Sequence, residues 1–397
     1  MAPGVMTESE ATAQISPGRI FWLFLRLGLT SFGGPAAHIG FFHDEFVKRR
    51  RWLSAADYAE VVALCQLLPG PASSQVGLSI GFLKARYVGA AAAWLGFTLP
   101  SALALTALAL GLSAWPDAAS GGWVAGLKLF VVAVVAHAVW QMGATLCPDR
   151  TRLTLAVLVA ASLLVVGSAW MQLLVLVLAG GFGAWRGLPA GAAADSLHLP
   201  LRGRWPSGFA VVFALLLGLS FIPLPAGSDG WLAAELYRAG ALVFGGGHVV
   251  LPWLQEGFVA SGVMPADTFL AGYGAAQAVP GPLFTFAAFL GGSEGGIGGA
   301  VVALLAVFLP GALLVFAGLP LWSWIRRHPR ARAALAGVNA GVVGLLLAAL
   351  YDPVWTSAVH TPAGLALVLL CWSGLALWRV PVWLLAPLSA VAGALLW

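Results

Sequence analysis

Two tripeptides, Pro69-Gly70-Pro71 and Pro280-Gly281-Pro282, interrupt apolar stretches of this 397-residue chain. Proline removes a backbone donor and clashes with the preceding turn, while glycine admits dihedrals closed to other residues, so each tripeptide breaks a helix. A helix that restarts inside a membrane presents unpaired N–H groups, and such a terminus attracts anions. Ser73 and Ser74 follow the first break and Thr285 follows the second. Hydroxyls and backbone N–H groups together suit an oxyanion. The same hydroxyls can instead bond back to their own helix. Gln66 and Gln277 stand three residues before the breaks, either as donors to an anion or as partners for freed carbonyls.

A second pair of breaks lies upstream in each half: Phe32-Gly33-Gly34-Pro35 and Phe244-Gly245-Gly246-Gly247. Arg26 and Arg238 precede them at equal spacing, inside apolar sequence. An arginine there is expensive and faces a pathway, pairs with a partner such as Glu45 or Glu256, or snorkels to the interface. His38 and His248 follow the glycines at slightly different offsets, as proton carriers or as hydrogen-bonded packing residues. Lys128 and its match Asn339 sit in later spans, and with Glu45 and Glu256 they are the candidates for coupling or gating. Lys128 lies near the outer end of its span, within snorkelling reach. Dipoles alone do not select anions, because the arms that lead into the breaks end in carbonyls of opposite polarity.

Such groups need a membrane to make sense, and the composition supplies one. The chain is 60% hydrophobic and 9% charged, against about 25% charged residues in soluble domains. Apolar runs such as Val88–Leu112, Val124–Leu146, Val301–Leu319 and Leu335–Leu350 read as membrane helices. The net charge of +5 fits basic cytoplasmic loops and gives no reason to expect nucleic acid. Cys65, Cys147 and Cys371 have no metal-ligand spacing, and neither HExxH nor CxxC occurs. Neither cofactor, metal nor enzyme activity is expected. Residues 1–17 form a polar tail without the basic start of a signal peptide.

The two sets of motifs repeat at an offset of about 211 residues. Glu45, Gln66, Pro100 and Lys128 match Glu256, Gln277, Pro310 and Asn339. This divides the chain into a first repeat at 18–187, a cytoplasmic loop and linker helix at 188–229, and a second repeat at 230–397. Basic loops fall on opposite sides of the matched segments: Lys48, Arg49, Arg50 and Arg51 in the first half, Arg326, Arg327, Arg330 and Arg332 in the second. The positive-inside rule then inverts one half relative to the other, a pattern of secondary transporters. The broken segments have arms of about 13 residues, too short to cross, and are expected to re-enter on the side they left. The expected fold is an all-α polytopic membrane protein with an internal inverted repeat. It has nine full spans and four re-entrant hairpins, or 13 spans if every segment crosses. All Lys and Arg except Arg26, Lys128 and Arg238 then fall on cytoplasmic loops or ends, with the N-terminus in the cytoplasm.

Long stretches of this sequence resemble the chromate ion transporter family in its two-domain form. They are FGGPAAHIGFFHDEFVKRRRWL, ALCQLLPGPASSQVG, FGGGHVVLPWLQEGFV, AAQAVPGPLFTFAAFLG and GVNAGVVGLLLAALYDPVW. The resemblance implies a bacterial inner-membrane pump that extrudes chromate at the expense of the proton motive force and confers chromate resistance. Exchange with sulfate is left open, as is a sulfate importer, since the two anions share shape and charge. By motif, the resemblance assigns functional weight to Arg26, Gly33, Gly34, Pro35, His38, Glu45, Gln66, Pro69, Gly70, Pro71, Ser73, Ser74, Arg238 and the second Pro-Gly-Pro. A homodimer is a guess that no motif supports.

Overall fold

The computed structural model of the chain describes residues 15–31, 34–114, 121–166, 169–189, 205–243 and 250–397. All regular structure among them is helical. The first half contains α1 (Pro17–Thr30), α2 (Gly34–His43), α3 (Ala55–Leu67), α4 (Ala72–Ala114), α5 (Gly122–Leu146), α6 (Arg150–Val165) and α7 (Ala169–Arg186). Helix α8 (Trp205–Ser220) links it to the second half. That half contains α9 (Asp229–Leu242), α10 (Val250–Gln255), α11 (Ala266–Ala278), α12 (Phe286–Arg327), α13 (Pro329–Ala349), α14 (Pro362–Ala376) and α15 (Val382–Leu396). Among the described residues, four helices are long and apolar enough to cross a membrane: α4, α5, α12 and α13. Shorter apolar helices fall within α7, α8, α14 and α15.

The arms of each broken segment fold back on one another. Phe24 of α1 lies 5.5 Å from Phe42 of α2 between ring centroids. Cys65 Sγ of α3 lies 3.7 Å from Ser79 Oγ of α4, across the Pro-Gly-Pro turn. In the second half Trp231 and Phe258 are 5.1 Å apart, and Phe269 and Phe286 are also 5.1 Å apart. Helices α1 and α3 have 14 and 13 residues, which is about 20 Å of rise against a hydrocarbon core of about 30 Å. Ser16, Ser54 and Ser228 cap the arms that open three of these hairpins, each accepting from a backbone N–H three residues on.

Helices α4 and α12 each bend sharply at matched positions. Ala85 and Arg86 have φ,ψ of −148°,32° and 55°,−147°. Gly295 and Gly296 have −130°,19° and 60°,−146°. The arms beyond each bend cross so closely that a Cβ on Gly81 would strike the Gly89 carbonyl, and one on Gly291 would strike that of Gly299. The same backbone corner is thus built twice, once with Arg86 where glycine would be unstrained.

The halves interlock. The second arms of α4 and α12 run antiparallel: Trp94 meets Phe308 at 5.7 Å, and Ala109, further along α4, meets Gly292 just before the bend of α12. Helix α5 of the first half packs on α15 of the second, where Gly126 abuts the Ser389 carbonyl. Helix α13 packs on α7 by the matched contact, Gly337 against the Ala179 carbonyl. Small residues allow this approach, as is usual where helices pack in lipid. The buried core carries the large aromatics Phe130, Phe258, Phe269, Phe286, Phe289 and Tyr273, with Phe269, Tyr273 and Phe289 packed on Phe286.

A non-glycine residue in the region Arg86 occupies costs about 1–3 kcal/mol. Arg86→Gly, which copies Gly296, is therefore expected to raise the thermal midpoint of the detergent-solubilised protein by a few degrees. An unchanged or lowered midpoint would show that the corner is not strained.

Candidate functional site

Each Pro-Gly-Pro tip meets a helix end of the other half. Gly70, at φ 120°, donates its N–H to the Val243 carbonyl at 2.7 Å. Gly281, at φ 112°, donates to the Ser31 carbonyl at 3.1 Å. Ser31 and Val243 are the residues that end α1 and α9 just before the glycine-rich breaks. Each Pro-Gly-Pro tip of one half thus satisfies the frayed helix end of the other. The two bonds are mirror statements of one arrangement. A Cβ on Gly70 would lie 2.9 Å from Gln75 Nε2 and 3.1 Å from Gly311 Cα; one on Gly281 would lie 2.7 Å from Ser101 Oγ. Gly311 and Ser101 occupy matched positions, one residue after Pro310 and Pro100.

His38 is buried at the centre of this crossing. Its Nε2 lies 3.2 Å from the Ser31 carbonyl and its Nδ1 lies 3.3 Å from Ser73 Oγ. A carbonyl can only accept, so Nε2 carries the proton and the Ser73 hydroxyl donates to Nδ1. The ring also meets Phe97 edge-on at 5.1 Å. His38 therefore ties α2, α4 and the end of α1 together.

The remaining candidates divide. Ser73 and Ser74 are buried in the first turn of α4, and Pro69, Gly70 and Pro71 form the tip. Gly34, at φ 77°, and Pro35 open α2. Pro280, Gly281 and Pro282 form the second tip; Thr285 is buried just after it, but its hydroxyl donates back to the Pro282 carbonyl at 2.7 Å. Gln66 is exposed on α3, and Gln277 bonds Tyr273 one turn away. The carbonyl-satisfying role that the sequence offered to Gln66 falls to Gln75, whose Nε2 reaches the Pro69 carbonyl at 2.9 Å and the Gly311 carbonyl at 3.3 Å. Gly33, Gly245, Gly246 and His248 lie outside the described residues.

The two arginines are not equivalent. Arg238 pairs with Glu235 and donates to the Ser220 carbonyl at 2.8 Å, with its guanidinium 5.6 Å from the centre of the Phe221 ring. It braces α9 against the end of α8, and Glu235 in turn abuts Gly257 beside Glu256. The matched position of Glu235 is Leu23, so Arg26 has no such partner. Arg26 lines a cleft of about 200 Å³ with Thr30, Asp44, Glu45 and Arg49. Glu45 is held by Arg49 at 3.2 Å and Arg50 at 2.5 Å, and Asp44 by Lys48 at 2.8 Å. The Lys48 hydrogen bond and charge keep the Asp44 carboxyl below the usual carboxylate range. Arg26 is left as the cleft's cation without an ion-pair partner among the described residues.

Lys128 crosses between the halves to Asp267 at 2.6 Å, joining α5 to the mouth of the α11 hairpin. Asn339 is half-buried, and Ala56 stands at the position matched to Asp267, so the latch exists on one side only. Asp267 is largely exposed, which limits the pair to well under about 1 kcal/mol; it sets position more than stability. Glu60, buried in α3, escaped the sequence reading. An acid inside an apolar arm was the signal available.

Folded-back arms meeting from both halves, with helix ends bonded across the meeting point and long apolar helices around them, define a polytopic membrane protein of the broken-helix type. The chain belongs to the chromate transporter family, whose model matches residues 18–185 and 231–394. It is 29% identical over 387 residues to the chromate transport protein of Pseudomonas aeruginosa, covering 89% of this chain and 86% of that one. It is 30% identical over 362 residues to the chromate transport protein of Cupriavidus metallidurans, covering 86% and 84%. It is 28% identical over 412 residues to the probable chromate transport protein of Synechococcus elongatus, covering 99% and 100%. No solved structure matches the chain.

Gly70→Leu is expected to abolish flux at normal membrane expression, because a side chain there collides with Gln75 and Gly311. Wild-type flux would remove the tip from the pathway. Lys128→Asp and Asp267→Lys are each expected to reduce flux severalfold, and the double exchange to restore most of it. Failure of the exchange, with both single variants impaired, would make the pair incidental.

Proposed function

We propose that this chain moves chromate out of the cytoplasm across the bacterial inner membrane by alternating access, driven by the proton motive force. Sulfate, of equal shape and charge, is the expected competitor or exchange partner. The observation that carries the reading is the pair of reciprocal hydrogen bonds, Gly70 to Val243 and Gly281 to Ser31, within a member of the chromate transporter family. The antiparallel run of the matched arms of α4 and α12 supports inverted halves, and the folded-back arms support re-entrant hairpins. In an inverted pair, tilting one half against the other opens a central site alternately to each side.

The Arg26 cleft gives direction to the scheme. It lies at the base of the first hairpin, beside the basic segment Lys48–Arg51, which the positive-inside rule places in the cytoplasm together with the N-terminus. An unpaired guanidinium in a cleft raises the local concentration of a dianion and speeds its arrival. Arg26 then acts as a collector at the mouth. The tips two helical turns deeper hold the ion, and the Lys128–Asp267 latch closes the far side while the near side is open.

Everted membrane vesicles test this directly. Chromate is expected to accumulate inside energised vesicles, to leak away on adding a protonophore, and to be competed by sulfate. Chromate accumulation in intact cells expressing the protein would reverse the direction and sink the efflux reading. Arg26→Gln is expected to raise KM by about tenfold with little change in kcat, and Arg26→Lys to recover most of the loss, because a collector contributes charge. Wild-type KM in the glutamine variant would remove Arg26 from the pathway.

A further inference from the structure

Hydroxyls inside membrane helices normally donate to a carbonyl one turn back. Ser79, Thr106, Ser113, Ser162 and Ser389 all do so, at 2.8, 2.8, 2.9, 2.8 and 2.7 Å. Ser31, Ser74 and Thr98 do not. Their hydroxyl oxygens are sealed from solvent and have no hydrogen-bond partner among the described residues, in residues only 0%, 5% and 3% exposed. Orphan hydroxyls of this kind are costly and call for a reason.

Each of the three is, or follows directly in sequence, a residue that touches His38. Ser31 is itself a contact of the ring, Ser74 adjoins Ser73, and Thr98 adjoins Phe97. The second tip arrives at the same place, since Gly281 bonds the Ser31 carbonyl and faces Ser101. Ser74 also lies in the first turn of α4, where backbone N–H groups have no carbonyl one turn earlier to bond. Among the described residues, no cationic side chain belongs to this cluster. Arg238 is paired with Glu235, Arg26 lines the outer cleft, and the buried Lys84 is ten residues along α4, about 15 Å of helix rise from Ser74.

We infer that Ser31, Ser74 and Thr98, with the N–H groups that open α4, form a neutral oxyanion site that binds a fully deprotonated tetrahedral dianion. This rests on the transport reading above and assigns the substrate ligands within it. Hydroxyls and N–H groups satisfy the oxygens of such an ion by hydrogen bonds alone, and no fixed cation is present to trap it. The site therefore selects by the placement of donors and releases readily, whereas the arginine outside it only gathers ions. The bound complex keeps the charge of its substrate.

The test is chromate and sulfate binding to the purified full-length protein in detergent, by calorimetry, with melting curves of the free and chromate-loaded forms. Ser31→Ala, Ser74→Ala and Thr98→Val are each expected to raise Kd for both anions by about tenfold or more, the loss of one hydrogen bond to a charged group. The chromate-induced rise in melting temperature should vanish in the triple variant. The free protein should melt no lower than wild type, because each change deletes an unpaired buried hydroxyl, and Thr98→Ser should keep wild-type Kd. A merely structural role predicts the opposite: a lowered midpoint of the free protein with Kd intact, which would overturn the assignment. Unchanged Kd in the triple variant while Gly70→Leu still abolishes flux rejects these ligands and leaves the transport reading standing. Wild-type flux in Gly70→Leu removes the tip, and these ligands with it, from the pathway, whereas no chromate accumulation in energised everted vesicles rejects the transport reading itself.

Discussion

Every backbone N–H and carbonyl placed in hydrocarbon must find a partner inside the protein. This chain breaks helices inside its packed bundle, so it takes on that requirement at its centre. It meets the requirement by exchange: the tip of each half bonds the unwound helix end of the other, Gly70 to Val243 and Gly281 to Ser31. Gln75 completes the set by covering the Pro69 and Gly311 carbonyls. The glycines follow from the geometry, since the positive φ and the close neighbours leave no space for a side chain. The prolines follow too, because the helices must stop there.

Duplication explains the regularities, and its failures mark where the halves have taken different tasks. The bend of α4 and the bend of α12 share their dihedrals, and the glycine crossings at Gly81–Gly89 and Gly291–Gly299 coincide. The charges do not coincide. Glu235 neutralises Arg238, whereas Leu23 leaves Arg26 unpaired; Asp267 holds Lys128, whereas Ala56 and Asn339 make no such pair. A repeated scaffold with unequal charges leaves the two halves free to serve different tasks.

Much of this was legible in the sequence because helix breaks are local. Pro-Gly-Pro and the glycine runs state their chemistry within a few residues, and the constant offset exposes the repeat. The hairpin arms could be sized from residue counts. What stayed hidden depends on which helix lies beside which. Gln75 looks like any helical glutamine until Pro69 and Gly311 are seen beside it, so Gln66 drew the attention instead. Arg238 reads as a pathway charge until Glu235, one turn earlier on the same helix, is noticed. Ser31 and Thr98 belong to no motif, and only their lack of a partner in three dimensions sets them apart from the serines that bond their own helices.

The crossed packing of the outer helices has a consequence for how such a molecule can be assembled. Gly126 of α5 is covered by α15, and Gly337 of α13 by α7; neither half closes over its own small-residue seam. A single half inserted alone would expose two grooves shaped for helices of the other half. It could be completed only by a second half packed beside it. Placing both halves on one chain, joined by α8, supplies that partner at synthesis and spares the membrane the search for one.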